Sequence, residues 1–179
     1  MPERFRIRTY MNGNLAKTLS LIELPPPPNI KIITLSQINP EGKIAEEFIE
    51  LYNKCFQGRP EYSELTVQTI ENLEKKGVFR RENILIARVD NKMIGFNILL
   101  IDEKRVEEKS CGFLGGVGVL PGWRNKGIGG YLFYISLKLL AQKGINCVYF
   151  SIEESNTAGI RLLEKFQFKL PPQQELLVI

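Results

Sequence analysis

PGWRNKGIGGYLF, residues 121–133, is the stretch on which the reading of this chain turns. The run YLFYISLKLLAQKG carries apolar residues at helical spacing, with Ile128, Leu132, Ile135 and Leu139 on one stripe. Gly127, Gly129 and Gly130 therefore fall in the first turns of a helix, each costing about 1 kcal/mol relative to alanine. Arg124 and Lys126 stand at the positive end of the helix dipole, where a cation costs about 0.3–1 kcal/mol. A bound anion offsets both penalties, because N–H groups at a helix start, approached closely where no Cβ intervenes, form a phosphate site. The alternative is a tight strand-to-helix turn that is merely basic, and the surrounding sequence has to decide.

The chain of 179 residues, 44% of them hydrophobic, is long enough for one well-buried core. Its 24 Lys and Arg against 20 Asp and Glu leave a net charge of +4, with both signs mixed along the chain, which does not point to nucleic acid. Cys55, Cys111 and Cys147 are odd in number, far apart and without a CxxC, so neither a disulfide framework nor a zinc site is indicated and no metal is expected. The apolar strand contexts of Cys111 and Cys147 suggest core filling. No signal-like or membrane-spanning segment stands out, and the expected location is the cytoplasm. Histidine is absent, which removes Ser-His-Asp and Cys-His triads and leaves acid–base work to carboxylates, Tyr, Lys, Cys, water or the backbone.

Along the chain, RFRIRTYM and LAKTLSLIEL flank Asn12-Gly13-Asn14 and read as a β-hairpin, followed by the stiff spacer Pro25 to Pro28. This divides the chain into an N-terminal hairpin arm with a proline linker, 1–28, and a main domain, 29–179. The arm leaves room for a homodimer. NIKIITL is a strand. Ala45, Phe48, Ile49, Tyr52 and Phe56 mark an amphipathic helix, and TVQTIENLEKKG a second one ending at Gly77. ENILIARVD and KMIGFNILLIDE form an antiparallel pair around Asp90-Asn91, and CGFLGGVGVL a strand running into the opening stretch. NCVYFSIE is a buried strand, and NTAGIRLLEKFQF a helix with Ala158, Leu162 and Phe166 along one face. The tail KLPPQQELLVI supplies one or two edge strands. The order β, α, α, β, β, β, α, β, α, β implies an α/β (α+β) fold, a mixed sheet with helices on its faces.

Two named phosphate motifs fail. GxGxxG has Pro121 or Leu132 where its third glycine belongs, and the P-loop spacing of Gly122 and Gly127 is followed by Ile128 and Gly129 rather than Lys and Ser/Thr. Arg-x-x-Gly-x-Gly does match, at Arg124, Asn125, Lys126, Gly127, Ile128 and Gly129, directly after a strand ending VGVLP. With the element order, this resembles the GCN5-related N-acetyltransferase (GNAT) family over about residues 30–170. The resemblance implies a sheet splayed between the strand ending at Val119 and the strand 146–153, with acetyl-CoA in the gap. It implies that backbone groups of Val117, Gly118 and Val119 pair with the pantetheine arm, that amides from Asn125 to Gly130 hold the pyrophosphate, and that Asn156 contacts the cofactor. Asn156 is equally placed to cap the helix that follows.

The chain departs from the family pattern N-x-x-A-x-x-L-Y-e-k-x-G-F at Gly159, Leu163 and Gln167. Leu163 stands where the resemblance places a tyrosine that protonates the leaving thiolate, a general-acid contribution of about 10²- to 10⁴-fold. Tyr62 and Tyr149 are possible substitutes, and Glu61, Asp102, Glu153 and Glu154 possible bases for an amine that is charged at neutral pH. No single catalytic residue is singled out. Trp123 is expected to pack over the turn. The expected function is acyl-CoA-dependent N-acyl transfer, with acetyl-CoA as cosubstrate, directly to a primary amine on a small molecule or a protein. The alternative is a CoA-binding regulatory or scaffold module that has lost turnover.

Overall fold

The structure, a computed structural model, describes residues 7–38, 44–59, 62–101 and 111–170. Six strands form one sheet in the order β1-β6-β5-β4-β3-β2, with β1 at Ile7–Asn12, β2 at Lys31–Thr34, β3 at Ile84–Val89, β4 at Lys92–Leu100, β5 at Cys111–Val119 and β6 at Cys147–Glu153. Only β5 and β6 run parallel; every other neighbouring pair is antiparallel. The β3–β4 hairpin turns where the sequence places it, and Asp90 takes the positive φ of 50° that the tight turn requires.

Helices cover both faces, as the mixed element order implies. On one face lie α1 (Leu15–Leu21), α4 (Ile128–Gln142) and α5 (Thr157–Lys165), and their core includes Leu15, Leu132, Phe133, Leu137, Val148, Leu163 and Phe166. On the other lie α2 (Ile44–Phe56) and α3 (Val67–Lys75), with Phe48, Leu51, Ile70, Ile86 and Phe96 buried together. Helix α4 is apolar nearly all round and buries Tyr134, Ser136 and Leu140 beside the expected stripe. Helix α5 is rotated from its expected face: Leu163 and Phe166 are buried, whereas Ala158 is exposed. Among the described residues no helix is long and apolar enough to cross a membrane.

The N-terminal hairpin is not formed. Its second half is helix α1, and its first half, β1, pairs antiparallel with β6 from Ile7↔Glu153 to Asn12↔Val148. None of Asn12, Gly13 and Asn14 has the positive φ that a two-residue hairpin turn needs. The two asparagines act instead as hydrogen-bonding groups. Asn14 Oδ1 accepts from the Lys17 N–H at 3.1 Å and caps α1, while Asn12 Oδ1 accepts from the Asn14 N–H at 2.9 Å. Asn12 Nδ2 donates to Thr18 Oγ1 and to the Phe166 carbonyl, and Leu15 is fully buried, so the core claims the helix. Of the tail, Lys169 bridges to Met11 through paired backbone hydrogen bonds; residues 171–179 lie outside the described residues.

Candidate active site

Strands β5 and β6 share only four register pairs, from Cys111↔Cys147 to Leu114↔Phe150, and then part. The parting has a local cause. The β4–β5 register passes from Leu99↔Leu114 to Ile98↔Gly116, leaving Gly115 as the extra residue of a bulge, and Gly116 has φ +149°. A bulge bends the strand that carries it. Beyond it, Gly116–Val119 stay with β4, whereas Ser151–Glu153 stay with β1. The gap opens into a cavity of about 230 Å³ lined by Gly115, Gly116 and Val117 on one side, Phe150 to Glu153 and Asn156 on the other, and Tyr52, Phe56, Arg59 and Tyr62 above.

The three β5 residues expected to meet a ligand differ in orientation. The Leu120 N–H donates to Ile94 of β4, so by alternation the backbone polar groups of Gly118 face β4 and those of Val117 and Val119 face the gap. Gly118 has a separate reason to be glycine: a Cβ there would lie 2.4 Å from Phe96 Cε1 and 3.0 Å from Cys55 Cβ. The sheet and α2 meet at that point.

Past Val119, a short 3₁₀ turn at Pro121–Trp123 leads to the start of α4. Asn125 (φ 60°) and Gly127 (φ 76°) are both left-handed, the kind of backbone that forms anion-binding concavities. The first hydrogen bond of α4 runs from the Tyr131 N–H to the Gly127 carbonyl at 3.0 Å, so the N–H groups of Ile128, Gly129 and Gly130 have no partner within the helix. A Cβ built on Gly127 or Gly122 meets nothing within 4 Å. Gly129 and Gly130 would place a Cβ in ordinary contact with Val119 and Leu162, while the Ile128 side chain is buried in the core. The open space, the left-handed backbone and the three donors fit a pyrophosphate.

The two cations of the motif are not aimed at those donors. Arg124 Nε donates to the Val119 carbonyl at 3.1 Å and its guanidinium to the Cys55 carbonyl at 3.0 Å, bracing the turn against β5 and α2. Lys126 Nζ lies 4.8 Å from the centroid of the Trp123 ring, a cation–π contact. Trp123 thus packs over the turn, as expected. Asn156 is the cap of α5, its Oδ1 accepting from the Gly159 N–H at 3.0 Å, and the residue also lines the cavity. A Cβ on Gly159 would lie 2.3 Å from the Cδ1 end of the Ile152 side chain.

The acid–base candidates separate by position. Leu163 is 1% exposed and part of the core under α5. Tyr149 does not line the cavity, but Tyr62 does, and with it Tyr52. Burial, and then the neighbouring Tyr62, hold the Tyr52 phenol above its ordinary range, so it stays protonated at neutral pH. Glu153 lines the cavity, whereas Glu154 is ion-paired with Arg8. Glu61 and Asp102 lie outside the described residues. Tyr52 and Phe56 were not anticipated as lining residues. Tyr52 and Phe56 did stand on the α2 stripe, and two aromatics one turn apart at the end of a helix next to Gly58 were the available signal. Among the described residues no cluster of three or more His, Cys, Asp or Glu is placed to hold a metal ion.

Comparison with known proteins agrees with this fold. A curated mycothiol acetyltransferase of Thermobispora bispora is 26% identical over 148 residues, which are 81% of this chain and 49% of that protein. The chain thus spans about half the length of such relatives. The crystal structure of a GCN5-related N-acetyltransferase from Sphaerobacter thermophilus superposes with a TM-score of 0.65 at 22% identity, covering 93% of this chain and 50% of that one. A GNAT family acetyltransferase from Brucella melitensis, solved in complex with acetyl-CoA, gives a TM-score of 0.50 at 20% identity over 65% of this chain and 71% of that one. These two likenesses are of fold. The family model for the acetyltransferase (GNAT) family matches residues 45–168, more than half of the sequence, and the chain belongs to that family.

Proposed function

We propose that this chain is an N-acetyltransferase that uses acetyl-CoA and passes the acetyl group directly to a primary amine. The observation that carries the reading is the gap between Val117–Val119 and Ser151–Glu153, which begins at the glycine cradle and ends in the aromatic-walled cavity. When bound, acetyl-CoA supplies an acyl carbon activated as a thioester. The N–H groups of Ile128, Gly129 and Gly130 would hold its pyrophosphate, and the gap-facing backbone of Val117 would pair with its pantetheine arm like an added strand. The Val119 carbonyl is already engaged by Arg124, so pairing there falls to the Val119 N–H.

An amine with a pKa near ~10.4 has to lose a proton before it attacks. Glu153 is the described carboxylate on the cavity wall and would take that proton directly or through a water molecule. Tyr52 and Tyr62 would serve the departing sulfur as donors, replacing the hydroxyl that Leu163 lacks. The aromatic wall excludes bulk water and strengthens these interactions. The acceptor belongs to the broad class of primary amines, small or protein-borne. A mycothiol-type amine, after the relatives' name, belongs in a test panel beside a peptide N-terminus, a lysine side chain and an aminoglycoside.

A second reading, a CoA-binding module without turnover, is favoured by one observation, the burial of Leu163 away from the cavity. Release of free CoA thiol with the amine panel separates the two. Acceptor-dependent release that falls at least tenfold in Glu153→Gln supports catalysis. Tight binding of acetyl-CoA with no release by any amine supports the module.

A further inference from the structure

Cys111 and Cys147 are the first residues of β5 and β6 and face each other in the parallel register. On β5, Gly112 packs toward Leu140 and Ile145 of the α4 side, and on β6, Val148 belongs to the core on that same side. Alternation therefore places Cys111 and Cys147 together on the opposite face, where both are half-buried thiols. The core filling expected of Cys111 and Cys147 is therefore not what the structure shows, and the buried cysteine is Cys55. Neighbouring strands lie about 4.8 Å apart, inside the Cα separation of about 4.4–6.8 Å that a disulfide spans.

We propose that Cys111 and Cys147 form a reversible thiol–disulfide site whose co-reactant is a low-molecular-weight disulfide. One cysteine thiolate attacks a sulfur of the small disulfide, forming a mixed disulfide and expelling a thiolate that takes up a proton. The second cysteine thiolate then attacks the protein sulfur of the mixed disulfide. The Cys111–Cys147 bond forms and the second small thiol leaves. Two protein thiols are oxidised, one small disulfide is reduced to two thiols, and the two thiol protons end on the released molecules. The bond crosses the first of the four pairs that join β5 to β6 below the gap, so it fastens the closed end of the splayed sheet. In-register side chains on parallel strands stand slightly wider than the Cβ separation of about 3.5–4.5 Å that a disulfide prefers, and such a bond is readily reduced again. This inference stands whether or not the chain turns over acetyl-CoA.

The test is to incubate the reduced full chain, natively folded, with oxidised glutathione, to titrate free thiols, and to map cysteines by mass spectrometry after non-reducing digestion. The titre is expected to fall from three thiols to one, with Cys111 and Cys147 in a single intramolecular cross-link that dithiothreitol reverses. Cys111→Ser and Cys147→Ser are each expected to keep one glutathione on the remaining strand cysteine, because the resolving thiol is gone. Stable glutathione on both cysteines of the wild type without a cross-link, cross-links only between molecules, or three thiols remaining after prolonged incubation would each overturn the proposal.

Discussion

The guanidinium of Arg124 donates to the Cys55 carbonyl at 3.0 Å, joining the turn that opens α4 to the C-terminal end of α2. A second hydrogen bond reaches the Val119 carbonyl at 3.1 Å, so one side chain holds the cradle, the strand and the roof of the cavity in register. Its first duty is structural, and any effect on phosphate binding passes through the placement of residues 125–130.

Arg124→Ala is accordingly expected to lower the stability of the ligand-free protein by about 1–2 kcal/mol, a Tm fall of roughly 2–8 °C for a chain of this size. Lysine, with a single point of donation, is expected not to restore it. Thermal unfolding without ligand checks this. A variant that unfolds like the wild type but binds acetyl-CoA more weakly would show the guanidinium acting on the phosphates instead.

A Cβ at Gly118 and one at Gly159 would each meet a side-chain atom closer than 3 Å, with different consequences. At Gly118 the obstacle is the Phe96 ring, itself packed against Phe48 and Tyr52, and Gly118→Ala should cost about 1–3 kcal/mol by overpacking. At Gly159 the closest obstacle is the tip of Ile152, which can rotate away, and alanine gains about 1 kcal/mol of helix propensity. Gly159→Ala should stay within about 1 kcal/mol of wild type. Chemical denaturation of both variants decides, and Phe96→Leu should relieve Gly118→Ala.

Asn97 is fully buried beneath α4. Its Nδ2 donates to Ser136 Oγ at 2.6 Å and its Oδ1 has no hydrogen-bond partner. Ser136→Ala alone strands the donor as well and should cost about 1–3 kcal/mol. The double variant Asn97→Val with Ser136→Ala removes both groups and should recover most of the loss. A double variant less stable than either single one would give the pair a positive role in the fold.

Burial pushes the Cys55 thiol up to about 12, against an ordinary value near 9.0, with the charges of Arg124 and Arg59 pulling the other way. Between those values the folded chain holds a proton that the unfolded chain has lost. Stability is therefore complete below about pH 9 and declines as pH rises toward 12. Cys55→Ala should show a shallower decline over that window in equilibrium unfolding. A native thiol that reacts with iodoacetamide near pH 8 as fast as a free cysteine would contradict the burial.

What was legible in the sequence was local. Gly127 and Gly129, after a strand and before an apolar helix, marked the glycine turn that opens α4, because backbone freedom and helix periodicity are read over a few residues. The Asp90-Asn91 turn and the Asn156 cap were legible for the same reason. What depended on distant partners was not. Asn12-Gly13-Asn14 has the composition of a hairpin turn, and only the buried contacts of Asn12 with Thr18 and Phe166 turn it into a helix cap. The pattern placed two cations at a helix start but could not say that one would turn to Cys55, far back in the chain, and the other to Trp123. The Gly115 bulge likewise needs the β4 register before it can be seen.

Calorimetric titration of acetyl-CoA into the wild type and into the double variant Gly127→Glu with Gly129→Glu tests the central claim most directly. A Cβ at Gly127 enters open space and one at Gly129 makes ordinary contacts, so the substitutions fill the cradle with carboxylates at the cost of left-handed strain at Gly127 alone. The account predicts saturable one-site binding to the wild type and its loss, by at least a hundredfold, in a variant whose circular dichroism shows it folded. No binding to the folded wild type, or unchanged binding to the folded variant, would contradict it.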